Sequence, residues 1–358
     1  MRFYPLTLAA VIPETAYAVR LRFAVPLALR GTFAFKAGQF LTLRANVGGV
    51  DVRRSYSICS PPVQLQTLGT VDVGVKAVAG GVFSPWLQTQ RLGDTLDVLP
   101  PQGRFSVPPA AKRVLLIAAG SGITPLLSIL AHSLQSDANT QFTLLYGNRN
   151  TASTLFLEDL LALKNRYPTR FDMHCVMSRQ ASDIALHNGR IDAAKLMAFL
   201  NGLLKGIVFE HAMVCGPNDL IDVCEGMLPS QGISQVHAER FGSPNPVAGG
   251  YQAGYELGGD GQIEPIAQLT IVSGGVSHTV PWLGNTPLLL DAGLAAGLDL
   301  PYACKGGVCC TCRAKVIEGA VTMDRNYTLE ADEVAAGYVL TCQCRPASEA
   351  VVVSYDER

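Results

Sequence analysis

Six of the ten cysteines in this chain lie close together near the C-terminus, between Cys304 and Cys344. Four of them follow the spacing Cys-x4-Cys-x2-Cys with a fourth cysteine thirty positions on, namely Cys304, Cys309, Cys312 and Cys342. Thiolates at this spacing hold plant-type 2Fe-2S clusters. Zinc is the alternative, but structural zinc loops usually pair two Cys-x2-Cys knuckles, and the first gap here is four residues. The spacing therefore predicts an iron-sulfur cluster.

The residues around these cysteines support the same prediction. Gly306 and Gly307 let the loop bend, so that backbone N–H groups can point at the sulfurs and stabilise their negative charge. We expect Cys310 and Cys344 to be spectators, because adjacent residues on an extended loop point in different directions. Clustered cysteines in a chain of 358 residues indicate a metal site in a reducing compartment rather than a disulfide framework.

Two motifs in the first hundred residues are suited to a nucleotide with a flat ring. Arg54-Ser55-Tyr56-Ser57 supplies a cation for a diphosphate, an aromatic face for a ring and a hydroxyl for a ring nitrogen. Downstream, Gly80-Gly81-Val82-Phe83-Ser84 is a Gly-rich turn that opens a short helix, where free N–H groups can bind phosphate. Either motif alone is more typical of a strand end and an ordinary turn.

A third motif follows the buried strand Val114 to Ala119 directly, and consists of Gly120-Ser121-Gly122-Ile123-Thr124-Pro125. We expect Thr124 to cap the following helix and Pro125 to lie in its first turn. A strand, a Gly-rich turn and a helix in this order form a credible diphosphate site. Pro125 stands where the Rossmann fingerprint has its third glycine, which separates this loop from that fold.

The pattern of elements predicts three domains. Short β-type runs with Gly and Pro turns indicate an antiparallel β-barrel over residues 1–108, and apolar strands alternating with helices indicate an α/β domain with a parallel sheet over residues 109–241. Residues 242–264, with seven Gly and two Pro, are typical of a linker. Residues 265–358 form a smaller β-rich unit that holds the cysteine cluster. Specific elements include strands at 40–43, 71–75 and 173–177 and a helix at 154–164.

Charge and hydropathy exclude two classes of partner. The net charge of −1 is not basic enough for nucleic acid binding, and no stretch approaches the length needed to span a membrane. The N-terminus imitates a secretory signal through the apolar run Leu6 to Ile12, but that run is short and ends at Pro13-Glu14. The alternation from Val19 to Phe23 that follows is typical of a half-buried strand. We expect a cytoplasmic protein.

Taken together, these motifs resemble the ferredoxin-NADP reductase superfamily, whose members carry Arg-x-Tyr-Ser, Gly-x-x-Ser, Gly-x-Gly-x-x-Pro and Cys-Gly-Pro in this order. Cys215-Gly216-Pro217 completes the set. A C-terminal plant-type ferredoxin domain of α+β (β-grasp) fold marks a subgroup of oxygenase reductases. Within it, the segments 301–309 and 337–343 are similar to the reductases of phenylacetyl-CoA epoxidases, and the reductases of steroid hydroxylases share much of this pattern.

The resemblance implies a role for each motif residue. Arg54 would bind the FAD diphosphate together with Gly81, Val82 and Ser84, Tyr56 would stack on the isoalloxazine ring, and Ser57 would lie near its N5. The residues that would cradle the NAD(P) diphosphate are Gly120, Gly122, Thr124 and Pro125. Cys215, Gly216 and Pro217 would lie at the nicotinamide. Glu239 and Phe241 would close the flavin pocket. Ser178 and Arg179, which follow a strand where the family contacts the 2′-phosphate, favour NADPH, with NADH possible.

The implied function is electron transfer from NADPH through FAD and the 2Fe-2S cluster to a terminal oxygenase component of di-iron or Rieske type. A hydride delivers two electrons and the cluster accepts one, so flavin must stand between them. The alternatives are a reductase of a steroid or ring hydroxylase or of a hybrid-cluster protein, and a non-catalytic redox sensor.

Residues 1–241 carry 22 Lys and Arg against 16 Asp and Glu, and residues 265–358 carry 6 against 10. We therefore expect weak, reversible docking of a ferredoxin domain that swings on the linker.

Overall fold

The computed structural model describes residues 2–108, 111–241, 267–282 and 288–357. The chain forms two compact units, of which one spans Arg2–Arg240 and the other begins at Phe241. The predicted linker lies outside the described residues, as do residues 109 and 110 at the predicted boundary of the first two domains. No helix in the described ranges is both long and apolar enough to cross a membrane.

The first unit opens with an antiparallel β-barrel, as predicted. Its elements are β1 (Tyr4–Thr15), β2 (Ala18–Ala24), β3 (Phe40–Val47), β4 (Val50–Ser57), α1 (Pro62–Leu68), β5 (Thr70–Lys76), α2 (Phe83–Leu87) and β6 (Thr95–Val98). The strands hydrogen-bond in the order β4-β3-β6-β1-β2-β5, and a bridge between Ile58 and Val73 joins the two ends. Alternating apolar side chains such as Leu21 and Phe23 form its core. The expected strands at 40–43 and 71–75 lie within β3 and β5.

The same unit continues with a five-stranded parallel sheet, which confirms the predicted α/β domain. Its elements are β7 (Arg113–Ala119), α3 (Ile123–Ser136), β8 (Gln141–Asn148), α4 (Leu157–Arg166), β9 (Phe171–Met177), α5 (Ala193–Asn201), β10 (His211–Gly216), α6 (Asn218–Met227) and β11 (Gln235–Arg240). The strand order is β11-β10-β7-β8-β9. Helices follow the strands because each parallel pair needs a crossover connection.

The predicted start of the helix at Thr154 is wrong by three residues. α4 begins at Leu157, and Phe156 before it has a left-handed backbone with φ of +55°. The hydroxyl of Thr154 donates to the carbonyl oxygen of Asn150, where it completes a short 3-10 turn instead. Leu155 and Phe156 are both buried, so burial of two apolar side chains overrides the helical pattern.

The barrel and the parallel sheet contact each other closely. A Cβ atom on Gly74 in β5 would lie 2.6 Å from Cγ2 of Thr124 and 2.8 Å from Cζ of Phe156, so only glycine fits there. Arg20 in β2 lies over the ring of Phe156 and forms an ion pair with Asp159 of α4. These contacts join the two domains of the first unit.

The second unit is an α+β domain, as predicted. Its elements are β12 (Ala267–Ser273), β13 (Val276–Trp282), α7 (Leu289–Ala295), β14 (Arg313–Glu318), β15 (Val321–Met323), α8 (Ala331–Ala335), β16 (Tyr338–Leu340), β17 (Cys344–Pro346) and β18 (Ala350–Ser354). The main sheet has the order β13-β12-β18-β14-β16, with β12 and β18 parallel and the other pairs antiparallel, and β15 pairs with β17. The cysteine loop lies between α7 and β14.

Candidate active site

The predicted dinucleotide loop, Gly120 to Pro125, lies at the point where the strand order of the parallel sheet reverses. From β7 the chain adds β8 and β9 on one side, and then places β10 on the other side of β7. Ligands of open α/β sheets bind at such a switch point, outside the carboxyl ends of the strands. Residues Gly120–Gly122 form a 3-10 turn directly after β7, and Cys215 and Gly216 end β10. Two predicted motifs therefore meet at the switch point.

Gly122 makes this meeting possible. A Cβ atom on Gly122 would lie 1.9 Å from the carbonyl oxygen of Cys215 and 2.8 Å from the backbone nitrogen of Gly216. Gly216 is also tightly placed, because its Cβ would lie 3.2 Å from the backbone nitrogen of Ala119. No side chain fits between the loop and β10 without a backbone shift. The switch point is therefore lined by backbone groups, which can approach a bound nucleotide closely.

The prediction that Thr124 caps the following helix is wrong. α3 begins one residue before it, with Gly122 as the N-cap, so Thr124 already lies inside the first turn. Its hydroxyl donates a hydrogen bond to the carbonyl oxygen of Ser121 at 2.9 Å. The reason is that the preceding 3-10 turn starts the helical chain before Thr124 is reached. Pro125 lies in the first turn, as predicted, where its missing N–H removes no helical hydrogen bond.

One cation lies close to this loop, and the charge of a second acts on it. Nζ of Lys76, at the end of β5 in the barrel, lies 3.4 Å from the position that a Cβ on Gly120 would take. Burial and, second, the charge of Arg149 after β8 lower the pKa of Lys76. Two like charges that repel each other favour an anion nearby, because an anion would relieve their repulsion. Gly120 itself has φ of +56°, which suits glycine.

Ser178 and Arg179 follow β9 at the same edge of the sheet. The N–H of Ser178 donates to the carbonyl oxygen of Asn148 at 2.9 Å, and the N–H of Arg179 donates to that of Arg149 at 2.7 Å. These bonds tie the ends of β8 and β9 together, and both Ser178 and Arg179 are left exposed. Positive charge is thus concentrated on two adjacent loops.

Strand β4 carries the predicted flavin residues. Arg54 is exposed, Tyr56 is half-buried and Ser57 is buried. The ring of Tyr56 lies 6.3 Å from that of Phe83, which stacks on Trp86 at 5.6 Å. Burial raises the pKa of Tyr56, so its phenol stays protonated. The strand offers an exposed cation, an aromatic surface and a buried hydroxyl within four residues.

The Gly-rich turn before α2 is held by its own hydrogen bonds. The N–H of Gly81 donates to the carbonyl oxygen of Val78 at 3.0 Å, and the hydroxyl of Ser84 accepts from the N–H of Val78 at 3.0 Å. Gly80 has φ of +74°, which suits glycine at this bend. Ser84 is therefore buried and shapes the turn, whereas Val82 is exposed. A short helix follows, as predicted.

Glu239 joins the barrel to the parallel sheet. Parallel pairing of β11 with β10 places Glu239 beside Cys215, and the hydroxyl of Ser57 donates to Oε2 of Glu239 at 2.8 Å. Burial raises the pKa of Glu239 to about 7, and the hydrogen bond from Ser57 opposes this shift. The residue as a whole is half-buried. Burial, with the charge of Glu239, raises the pKa of Cys215, which stays a thiol.

Two further predicted residues lie at the ends of these strands. Pro217 is the N-cap of α6 and is exposed. Phe241 follows β11 and is 46% exposed. Its proposed part in closing the flavin pocket stays a prediction.

The four predicted ligand cysteines come together in the second unit. The thiol of Cys304 lies within hydrogen-bonding reach of those of Cys309 and Cys342, and the thiol of Cys342 also reaches Cys312. These contacts link the four thiols in one continuous series, Cys309–Cys304–Cys342–Cys312. A cluster of two irons bound by four thiolates needs two pairs of ligands.

The loop around these thiols is tightly bent. The N–H of Gly306 donates to Sγ of Cys304 at 3.3 Å, as predicted. Lys305 and Cys310 adopt left-handed φ values of +49° and +50°, which are uncommon for residues with a Cβ atom. Sγ of Cys310 lies 3.1 Å from Oγ1 of Thr328, and the thiol of Cys344 donates to a main-chain carbonyl at 3.2 Å. That both are spectators stays a prediction.

Known proteins share this organisation. Residues 7–107 match the oxidoreductase FAD-binding domain, residues 116–226 the oxidoreductase NAD-binding domain, and residues 272–347 the 2Fe-2S iron-sulfur cluster binding domain. A component of the 1,2-phenylacetyl-CoA epoxidase of Escherichia coli (strain K12) is 42% identical over 362 residues, which cover 99% of this chain and 98% of that protein. This chain belongs to the ferredoxin-NADP reductase-like family with a C-terminal 2Fe-2S domain.

One further relative and one solved structure resemble the reductase over nearly its whole length. The ferredoxin reductase component of 3-ketosteroid-9-alpha-monooxygenase from Rhodococcus rhodochrous is 36% identical over 355 residues, which cover 98% of this chain and 96% of that protein. Phthalate dioxygenase reductase has the same fold, with a TM-score of 0.59 at 24% identity and 98% of each chain covered. The reductase is an oxidoreductase with domains for FAD, a nicotinamide nucleotide and a 2Fe-2S cluster, and the predicted family is confirmed.

The residues of the reductase fit these three groups. The exposed guanidinium of Arg54 beside the ring of Tyr56 suits a dinucleotide with a flat ring. The backbone-lined loop at Gly122, with Lys76 nearby, suits a second diphosphate. The continuous series of contacts among the four thiols suits the cluster. In each case the side chains and backbone groups already have the arrangement that the bound group would need.

Sequence reasoning missed two residues of this site. Lys76 ends a barrel strand, and its approach to Gly120 depends on how the barrel packs against the sheet. Arg149 follows β8 just as Ser178 follows β9, so its position after a parallel strand was a usable signal. Both cations extend the candidate phosphate site beyond the predicted motif.

Proposed function

We propose that the reductase serves an oxygenase of the phenylacetyl-CoA epoxidase type and takes its electrons from NADPH. The observation that carries this proposal is the 42% identity to a component of that epoxidase across the whole chain. The second candidate is an oxygenase that acts on a steroid, which the 36% identity to the ketosteroid monooxygenase component favours. In both cases the partner is a terminal oxygenase component, of di-iron or Rieske type.

Reconstitution decides between the two candidates. The purified reductase is mixed with NADPH, oxygen and either the oxygenase component of the Escherichia coli epoxidase with phenylacetyl-CoA, or that of the Rhodococcus rhodochrous monooxygenase with a 3-ketosteroid. We expect product with the first mixture. Product with the second alone overturns the proposal. A bound flavin that NADPH fails to bleach would favour the non-catalytic redox sensor instead.

The first set of roles concerns FAD. When bound, FAD accepts two electrons as a hydride and releases them one at a time. Arg54 would bind its diphosphate together with the turn Gly81–Ser84, whose bend and position at the start of α2 suit phosphate. Tyr56 would lie against the isoalloxazine ring, and Ser57 would lie near N5. The support is the exposure of Arg54 and the aromatic row behind Tyr56.

The second set concerns the nicotinamide nucleotide. The loop residues Gly120, Gly122, Thr124 and Pro125 would hold its diphosphate, with Lys76 and Arg149 balancing the charge. Cys215, Gly216 and Pro217 would lie at the nicotinamide. The support is that the loop and the end of β10 touch through backbone atoms at the switch point of the sheet.

Glu239 and Ser57 are suited to hold and pass a proton. A carboxyl with a pKa of about 7 is protonated in about half of the molecules at neutral pH. Oε2 of Glu239 lies 2.8 Å from Oγ of Ser57, so a proton can pass between them. Cys215 beside them stays neutral, which keeps its side chain from adding negative charge to the site. The pair is therefore suited to hold a proton beside the proposed nicotinamide motif.

The preference for NADPH is proposed from Ser178 and Arg179. Ser178 and Arg179 are both exposed at the edge of the sheet, and Arg149 lies on the adjacent loop. A guanidinium binds a phosphate group through charge-assisted hydrogen bonds, and NADH lacks the 2′-phosphate that would accept them. In the second unit, we propose Cys304, Cys309, Cys312 and Cys342 as the cluster ligands.

A further inference from the structure

The strand that carries Glu239, β11, has few backbone contacts to hold it in position. β11 lies at the edge of the parallel sheet and has one neighbour, β10, in the part of the chain that the structure describes. Its last residues, Glu239 and Arg240, pair with Cys215 and Gly216. The first compact unit then ends, and the chain continues from Phe241. An edge strand whose end continues into another unit can lose its last hydrogen bonds easily, so its end needs a further attachment.

Arg240 provides that attachment. Its side chain is 9% exposed, and its Nη2 donates to Oδ1 of Asp222 at 2.8 Å and to Oε2 of Glu225 at 2.7 Å. Its Nη1 donates to Oδ1 of Asn218 at 3.3 Å. The three acceptors lie four and then three residues apart, along one face of α6. One guanidinium therefore spans two turns of the helix.

The direction of the two side chains matters as much as the contacts. Successive residues of a strand point to opposite faces, so Arg240 reaches α6 while Glu239 reaches Ser57 of the barrel. α6 itself begins directly after Cys215-Gly216-Pro217. The bond network of Arg240 thus ties the end of β11 to the helix that follows the proposed nicotinamide motif.

We propose that Arg240 is a positioning residue that clamps the end of β11 to α6 and thereby holds Glu239 against Ser57. This inference rests on the proposed function, because it requires Glu239 to act in flavin reduction. Arg240 acts through the strand, by way of its bonds to α6.

The surroundings of Glu239 allow a specific test. The groups that face it are the hydroxyl of Ser57 from the barrel and the thiol of Cys215 from β10. Its pKa responds to burial and to the hydrogen bond from Ser57. If the strand end loosens, the carboxyl gains water and its pKa returns toward the ordinary value. A purely structural role of Arg240 would leave that titration unchanged.

The experiment uses the full chain with FAD bound and follows flavin reduction by NADPH in a stopped-flow instrument as a function of pH. We expect Arg240→Ala to move the midpoint of the profile toward acid by about one pH unit. Arg240→Lys keeps the charge but loses the forked geometry, so it should move the midpoint less. Lys164→Ala removes an ion pair with Asp172 in the same domain and is the matched control, with no shift expected.

Hydrogen exchange gives a readout that does not depend on activity. The amides of Gln235–Arg240 should exchange about tenfold faster in Arg240→Ala, and not in Lys164→Ala. If Arg240→Ala does not accumulate as folded protein, the double variant Asp222→Asn with Glu225→Gln weakens the same clamp and carries the same expectation. Unchanged exchange together with an unchanged midpoint overturns the proposal.

Glu239→Gln separates this inference from the proposed function. If the pH profile of the wild type persists in Glu239→Gln, the role of Glu239 is wrong, and the inference fails with it. If Glu239→Gln removes the profile but Arg240→Ala leaves its midpoint in place, the inference about Arg240 alone is wrong.

Discussion

Gly122 faces the carbonyl group of Cys215 so closely that a single added carbon would lie 1.9 Å from its oxygen. The two residues are 93 positions apart in the chain, and they meet because β7 and β10 are neighbours in the sheet. The proposed diphosphate loop and the proposed nicotinamide motif therefore form one continuous backbone surface. Any change that separates them changes both ends of the bound nucleotide together.

Gly122→Ala should impair nucleotide binding without affecting the flavin. The methyl group must displace backbone, and overpacking of this kind typically costs about 1 to 3 kcal/mol. We expect reduction of bound FAD by NADPH to slow by roughly tenfold to a hundredfold, with FAD content unchanged. Stopped-flow kinetics measure this. Gly226→Ala is the control, since a Cβ there meets nothing within 4 Å, and equal slowing in both variants would contradict the prediction.

Glu239→Gln should change how stability depends on pH. Burial raises the pKa of Glu239 from 4.5 to about 7. Between these two pH values the folded state therefore binds more protons than the unfolded state. Its stabilising contribution is present below the unfolded value and is lost as pH rises through about 7. A shift of this size corresponds to at most about 3 kcal/mol.

Denaturation midpoints measured at about pH 5 and at about pH 8 test this sign. The difference between Glu239→Gln and the wild type should move in favour of the variant as pH rises. Glu158→Gln alters an exposed carboxylate and should show no such trend. A difference that favours the wild type more at the higher pH would show that the carboxyl is ionised when folded.

Arg179→Ala should weaken the preference for NADPH. A hydrogen bond between a guanidinium and a phosphate contributes about 1.5 to 3 kcal/mol, so the ratio of kcat/KM for NADPH over NADH should fall about tenfold or more. Arg190→Ala removes the same charge from the loop after β9 and should leave the ratio in place. An unchanged ratio in Arg179→Ala would mean that this arginine is a solvated loop residue.

Cys312→Ser should abolish the cluster and leave the flavin reaction intact. Replacing a thiolate by a hydroxyl removes one of the four ligands that two irons require. We expect loss of acid-labile sulfide, with normal bleaching of FAD by NADPH. The variant Cys310→Ser should retain acid-labile sulfide, because the Sγ atom of Cys310 lies beside Thr328. Zinc without sulfide in anaerobically prepared wild type would contradict the whole assignment.

Local patterns predicted most of the fold. The strand from Val114 to Ala119 is a run of apolar residues that ends at Gly120, and β7 extends it by one residue. The thiol loop was likewise predicted, because three of its ligands lie within nine residues. Two local assignments failed at helix starts. Thr124 lies inside a turn that is already helical, and Phe156 takes a left-handed backbone so that it can be buried.

Contacts between distant segments were beyond the reach of local patterns. Ser57 and Glu239 are 182 positions apart, and their hydrogen bond depends on how a barrel strand meets the edge of a sheet. A family resemblance implied that both residues serve the flavin, but not that they bond to each other. The approach of Lys76 to Gly120 has the same origin, since tertiary packing decides which strand ends face each other.

The close contact at Gly74 has a consequence for protein engineering. β5 belongs to the barrel, yet Gly74 makes room for Thr124 and Phe156, and Lys76 two residues later reaches the dinucleotide loop. The proposed nucleotide site is therefore assembled from both domains rather than carried by one. A chimera can exchange the residues after 111 for those of a relative with a different cofactor preference. Such a chimera also needs a β5 that is compatible with the exchanged loop, because Gly74 and Lys76 of β5 contact that part of the chain.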